Sequence, residues 1–240
     1  MSTSTTNKNQ IKAVLFDFMG TCLDWHSSIV SVLPSALSND ERSNFALEWR
    51  QTYFDANTAR IENGLPIEDI DITHQRTLLE LLQKYPDFAP HFTRDAQEKA
   101  VAAWHAQKAW PDVASALQKL RERGFEIYVH ANGTTRLQLD IVRSSGLKFD
   151  MLFSSQLLGC YKPTPENYHS AFKLLKLGAD ECVTVAAHTS DLKGAKAVGM
   201  KTVYIRRWTD DIREDQETIK GENDAYLEDM ERLDEVITRL

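Results

Sequence analysis

An apolar run, Val14-Leu15-Phe16, delivers Asp17 into the stretch Phe18-Met19-Gly20-Thr21. A carboxylate can attack an electrophile and form a covalent ester, which divides one difficult displacement into two easier steps. Backbone N–H groups in the turn 18–21 can orient that anion, as loop nests do. Met19, two positions on, cannot transfer a proton. An ester on Asp17 must then be opened by an activated water. His188, with an ordinary imidazole pKa near ~6.5, is the natural base. Asp24 is placed to orient it, with Asp191 and Lys162 completing a polar network. The plainer readings stand beside these: a polar residue at a strand end for Asp17, and a buried imidazole bonded to backbone for His188. His130 and His26 are rival bases, and Cys22 beside Asp17 reads as packing.

Such residues need a scaffold that brings them together. The β-rich segments are IKAVLFDF (11–18), FEIYVHANG (125–133), MLFSS (151–155), CVTVAAH (182–188) and KTVYIRR (201–207). Continuous apolar strands imply burial on both faces, as in a parallel sheet. After residue 110, helical patterns alternate with the strands: PDVASALQKLRERG, TRLQLDIVRSSG, PENYHSAFKLLKLG and DLKGAKAVG. The alternation predicts an α/β fold with a doubly wound, Rossmann-like parallel sheet, which binds ligands at the carboxyl ends of its strands. Asp17, Asn132 and His188 all fall at or just after predicted strand ends.

Residues 25–108 break the pattern and read as helices throughout, too long a block for a plain crossover. They are expected to form a helical cap inserted into a core of residues 11–24 and 109–240, with residues 1–10 a frayed polar tail. Trp25, Trp49, Trp104 and Trp110 straddle the cap and its junctions, as pocket walls or as cap core. The acidic run TDDIREDQETIKGEND is expected to be solvated, and the last segment, DAYLEDMERLDEVITRL, to be a strand-poor helical end.

The net charge of -7 gives no basic footprint for nucleic acid. No apolar stretch approaches the ~18 residues of a membrane span, and the N-terminus lacks an apolar signal core. Three cysteines without metal-like spacing imply reduced thiols in the cytoplasm.

Four stretches in order carry a resemblance: Asp17 to Thr21, the strand end at Ala131-Asn132, Lys162 in YKPTPENY, and the loop AAHTSD ending at Asp191. The chain resembles the haloacid dehalogenase superfamily over roughly residues 11 to 208. Phosphatases of that superfamily place an aspartate where Met19 stands, and hold Mg²⁺ with two acids where this chain has Ala187 and Asp191. Met19 and Ala187 therefore point away from phosphoryl transfer. The resemblance is to the 2-haloacid dehalogenase branch, which has an apolar residue at the position of Met19 and needs no metal.

That resemblance implies further roles. Trp49-Arg50-Gln51 is similar to a Trp-Arg-Gln of the branch, in which the arginine receives the departing halide; a guanidinium suits an anion. Lys162 holds Asp17 ionised, as an opposite charge within several ångströms does. Tyr168 matches a tyrosine of the branch. Phe18, Met19, Thr21, Asn132, Tyr168 and Trp49 are the expected substrate-binding residues. Two motifs depart from the branch: Ser-Asn-Gly becomes Ala131-Asn132-Gly133, and Ser-Ser-Asn becomes Ala186-Ala187-His188. The expectation is a metal-independent hydrolase of small molecules with no cofactor, no nucleic-acid or membrane partner, and room for a homodimer. The alternatives are a Mg²⁺-dependent phosphatase, a tailoring hydrolase for a larger metabolite, and a non-catalytic binding protein.

Overall fold

The computed structural model describes residues 11–66 and 68–240; the expected tail at 1–10 lies outside the described residues. Among them, strands β1 (Ala13–Phe16), β4 (Glu126–Ala131), β5 (Met151–Ser154), β6 (Cys182–Ala186), β7 (Lys201–Ile205) and β8 (Ala225–Leu227) form one parallel sheet, ordered β5-β4-β1-β6-β7-β8. β1 is central: Val14 pairs with Ile127 of β4 on one side and Val183 of β6 on the other.

Alternate residues of a strand point to opposite faces. Val14 and Phe16 accordingly pack in one cluster with Leu117 of α5 (Val113–Glu122) and Ile141 of α6 (Thr135–Ser145). Ala13 and Leu15 pack in another, with Tyr168 of α8 (Pro165–Leu175) and Ala195 of α9 (Thr189–Ala197). The expected strands and core helices are present, and both sheet faces are covered, which is why β1 is buried throughout.

The C-terminal reading needs correction. Ala225–Leu227 is not helical: it adds β8 beside β7, and Tyr226 stacks on Tyr204 with ring centroids 5.3 Å apart. Asp224 fixes the join by accepting from the Thr202 N–H at 2.9 Å. A three-residue, half-buried edge strand has too few alternations to stand out in a polar segment. The helix that follows is short, Leu233–Ile237.

Two short strands, β2 (Leu23–Asp24) and β3 (Lys108–Ala109), pair antiparallel where the chain leaves the sheet and returns. Between them lie α1 (Trp25–Val30), α2 (Asn39–Glu62), α3 (Ile70–Lys84) and α4 (Arg94–Ala102). α1 ends at Val30, four residues before Pro34, which has no N–H to donate back to it. α2 starts at a capping box, in which Ser38 and Glu41 each satisfy the other's backbone N–H. Its buried face carries Phe45, Ala46, Trp49, Arg50, Tyr53 and Asn57, at helical spacing. Trp104 is the centre of this layer: Trp25 and His74 stack on it at 5.6 and 4.2 Å, and Trp49 meets it edge-on at 5.3 Å. The fully buried tryptophans are packing at the base of this layer. No helix of the described residues is long and apolar enough to cross a membrane.

Candidate active site

Asp17 follows β1 at the carboxyl edge of the sheet. Its N–H donates to the Val185 carbonyl at 3.0 Å, which fixes the loop against β6. Both side-chain oxygens are engaged. Oδ2 accepts from the Thr21 hydroxyl at 2.7 Å and faces His188 Nδ1 at 2.9 Å; Oδ1 accepts from Lys162 Nζ at 3.1 Å. Thr21 is held in turn by the Ala187 N–H, at 2.8 Å. Burial would raise the Asp17 pKa, but the adjacent Lys162 and His188 cations outweigh it and hold the carboxyl well below the usual range. Gly20 has φ +87°, and a Cβ there would lie 2.5 Å from an Asp210 oxygen, so the loop admits only glycine at this position.

Lys162 also donates to Asp191 Oδ2. Asn132 positions this lysine through its backbone: its side-chain amide donates to the Lys162 carbonyl at 3.0 Å and accepts from the Lys162 N–H at 2.8 Å. The Asn132 side chain thus holds the lysine loop, with one amide N–H not engaged there. Tyr168, fully buried, donates to the Asp191 carbonyl at 2.9 Å and backs the site from behind. Burial and the nearby Asp17 charge push the Asp191 carboxyl up to about 6 against the pull of Lys162.

The expected Asp24–His188 pair does not form. Asp24 caps α1, accepting from the Ser27 N–H at 3.0 Å. His188 Nε2 instead faces Asp210 Oδ1 at 2.9 Å. The other Asp210 oxygen accepts from the Thr209 hydroxyl at 2.6 Å and from Trp25 Nε1 at 3.2 Å. Thr209 and Asp210 are buried at the head of the run that its acidity marked as solvated. The signal available in the sequence was position: like Asp17 and His188, Asp210 lies in the loop after a strand, β7.

With a carboxylate at each ring nitrogen, His188 carries both protons. Burial lowers its pKa, but Asp17 and Asp210 override this and hold it well above the ordinary value. An imidazolium has no lone pair to take a proton from water, so His188 is not the resting base that its residue type suggested. The rivals do not replace it. Burial, assisted by Lys162, drops His130 to about 3, and its Nε2 bonds Asn167 at 2.6 Å. His26 contacts Ser43 and the Trp208 ring.

A cavity of about 340 Å³ opens beside Asp17, with Met19, Arg50, Asn132, Lys162 and Asp191 on its wall. The Arg50 guanidinium lies 4.4 Å from the Phe54 ring centroid and 5.4–5.5 Å from those of Tyr53, Trp25 and Trp104. Arg50 is 4% exposed; Nη2 reaches the Met19 carbonyl at 3.4 Å, while Nε and Nη1 have no partner among the described residues. A buried cation with spare donors beside a cavity is suited to an anion. Phe18 and Trp49 are not on this wall. Phe18 packs edge-on against Phe149, and Trp49 Nε1 donates to Thr77 and to the His74 carbonyl.

The description of a haloacid dehalogenase-like hydrolase family fits residues 11–199. The chain belongs to that family. Similar proteins include haloacetate dehalogenase H-2 of Moraxella sp. (strain B), 26% identical over 201 residues, covering 83% of this chain and 87% of the relative. A glyceraldehyde 3-phosphate phosphatase of Methanopyrus kandleri is 30% identical over 217 residues, covering 82% and 84%. Among solved structures, an L-2-haloacid dehalogenase superposes with a TM-score of 0.80 at 30% identity, covering 96% of this chain and all of the other.

For this haloacid dehalogenase-like hydrolase, the fit to a metal can be judged from its own side chains. Asp17, His188 and Asp191 bring ligand atoms within 4.8 Å of one another. Mg²⁺ prefers six oxygen ligands in near-octahedral geometry. Here two carboxylates are already bridged by the Lys162 ammonium, and the third group is a nitrogen whose proton faces Asp17. The donor set fits Mg²⁺ poorly.

Proposed function

We propose that this chain is a metal-independent hydrolase of the 2-haloacid dehalogenase type. The observation that carries the reading is the pairing, on one cavity, of an ionised Asp17 with the unpaired donors of buried Arg50. Asp17 attacks the carbon bearing the leaving group. A C–O bond forms as the carbon–halogen bond breaks, and the electron pair leaves with the halide toward Arg50. Oδ1 is the better nucleophile, since Lys162 alone donates to it, whereas Oδ2 is held by Thr21 and His188. Oδ2 then becomes the ester carbonyl oxygen. Thr21 and His188 are already placed to stabilise the charge that builds there when water attacks. Asp191, raised to about 6 and on the cavity wall, suits the base that takes the water's proton. The tetrahedral species then collapses, the departing alkoxide takes back the proton held by Asp191 and leaves as the hydroxy acid, and the second proton of the water is released as Asp17 returns to its carboxylate.

Arg50 and Met19 on the same wall support carbon–halide chemistry over phosphoryl transfer: Arg50 suits a departing anion, and Met19 has no proton to give a leaving alkoxide. The buried thiols Cys22 and Cys182 suit a reducing, cytoplasmic compartment.

The test is halide release from both enantiomers of 2-chloropropionate and from fluoroacetate, beside phosphate release from a generic ester, with and without chelator. Halide release that survives chelation is expected, with ¹⁸O from heavy water appearing in Asp17 during a single turnover. Phosphate release restored by Mg²⁺, with no halide, would favour the phosphatase. Label found only in product would mean direct attack by water.

A further inference from the structure

The cavity is larger than a short haloacid needs. Its volume of about 340 Å³ lies within the ~300–1,000 Å³ of pockets that enclose drug-sized ligands. Its long side is one stripe of α2, running from Arg50 past Tyr53 and Asn57 to Ile61. The eleven steps of helix from Arg50 to Ile61 cover about 16 Å at 1.5 Å per residue. Haloacetate or 2-halopropionate would fill only the inner end.

Charge gives the cavity a direction. The cations on the wall, Arg50, Lys162 and protonated His188, stand at the Asp17 end, so the acid group and the leaving halide belong there. Beyond them Tyr53, Phe54, Ile61 and Pro163 offer apolar wall, with Asn57 and Thr58 as uncharged polar residues on the same stripe. Glu62, on the wall beside Ile61, disfavours a second acid at the outer end. At the inner end Ala131 offers no hydroxyl, and Asn132 holds the Lys162 backbone. Along α2 a substrate can in addition bury apolar surface.

We infer that the preferred substrate is a 2-halo monocarboxylic acid carrying an extended apolar chain on the reacting carbon. The chain lies along the α2 stripe between Tyr53 and Ile61, and the acid and halide sit between Lys162 and Arg50. The inference rests on the dehalogenase-type reading.

The experiment measures kcat/KM by bromide release from both enantiomers of 2-bromopropionate, 2-bromohexanoate and 2-bromooctanoate, on the full chain and on Ile61→Trp. Each methylene buried in an apolar pocket favours the longer substrate several-fold, so kcat/KM should rise about tenfold or more from propionate to hexanoate. Ile61→Trp fills the outer cavity and should pull the hexanoate-to-propionate ratio towards one; circular dichroism checks that it folds. Turnover of 2-bromopropionate with a flat or falling ratio along the series overturns the substrate assignment and leaves the reaction intact. A ratio that persists in folded Ile61→Trp overturns the placement of the chain along α2. No bromide from any of the three removes the dehalogenase reading, and the substrate assignment with it.

Discussion

Two cations reach Asp17, and each is braced by a second acid. Lys162 bridges Asp17 to Asp191, and His188 bridges Asp17 to Asp210. The two braces look alike in charge, yet their acids are tuned in opposite directions. Burial acts to raise both carboxyls. In Asp210 it is outweighed by His188, Arg50 and the Thr209 hydroxyl, and the carboxyl is held below its usual range. Asp191 has Lys162 as its one side-chain donor among the described residues and feels the nearby Asp17 charge, so it stays up at about 6. The number of donors separates an acid that can exchange a proton near neutrality from one that serves as a fixed counter-charge.

The sharpest way to break the likeness is Asp191→Asn. If Asp191 is the base of the second step, Asp17 still attacks and halide still leaves, but the ester persists. Turnover should fall about 10²–10⁴-fold, the usual worth of general-base help. Mass spectrometry should find a stable adduct on the Asp17 peptide. In the parent chain the same carboxyl sets the acid limb. A base works when ionised, so the rate of ester hydrolysis should rise with pH through about 6 and level off above it. A full burst of halide with no adduct would move the base elsewhere.

Asp210→Asn tests the other brace and should cost less, about tenfold, because the amide still accepts one hydrogen bond. Its signature is electrostatic. His188 has a folded pKa raised above its unfolded value, so its stabilisation is fully present below the unfolded pKa and fades as pH rises through the folded one. Asp210, with its pKa depressed, contributes above its unfolded value and loses this as pH falls. The stability gap between the parent and Asp210→Asn should therefore be widest between about pH 4 and 6.5 and narrow as pH rises through the raised folded pKa of His188. The His188 resonance should titrate at lower pH in the variant. An unmoved titration would make the Asp210 contact incidental.

The two braces also differ in how far they could be read from sequence. Lys162 was legible only through the resemblance of YKPTPENY to the family's motif, which implies a cation that meets Asp17. His188 was legible as a residue at a strand end, and so was its convergence with Asp17, because a parallel sheet gathers its strand ends on one edge. Its protonation was not, since that depends on which acids meet its two nitrogens. Asp24 was the nearer acid in sequence, but Asp210 is the one that folds against the ring. Acidic neighbours disguised Asp210: a run of like charge reads as solvated, and nothing in it says that its first acid turns inward. The parallel core was legible from continuous apolar strands. β8 was not, because three half-buried residues give no periodicity.

The smallest expected effect belongs to Asp24, and it discriminates between the acid near His188 in sequence and the one near it in space. Asp24 accepts from the Ser27 N–H as the N-cap of α1, so Asp24→Ala removes a cap, not a member of the relay. Losing an N-cap typically costs about 0.5–2 kcal/mol, and the short α1 should place this one toward the low end. Chemical denaturation should show that loss without a change in slope, because the surface exposed on unfolding is the same. Ester formation and hydrolysis measured in single turnover should keep the parent's rates within about twofold, since no distance between Asp17, His188 and Asp210 depends on this carboxylate. Accumulation of the Asp17 ester in Asp24→Ala would contradict the assignment, by showing that Asp24 reaches the imidazole during turnover.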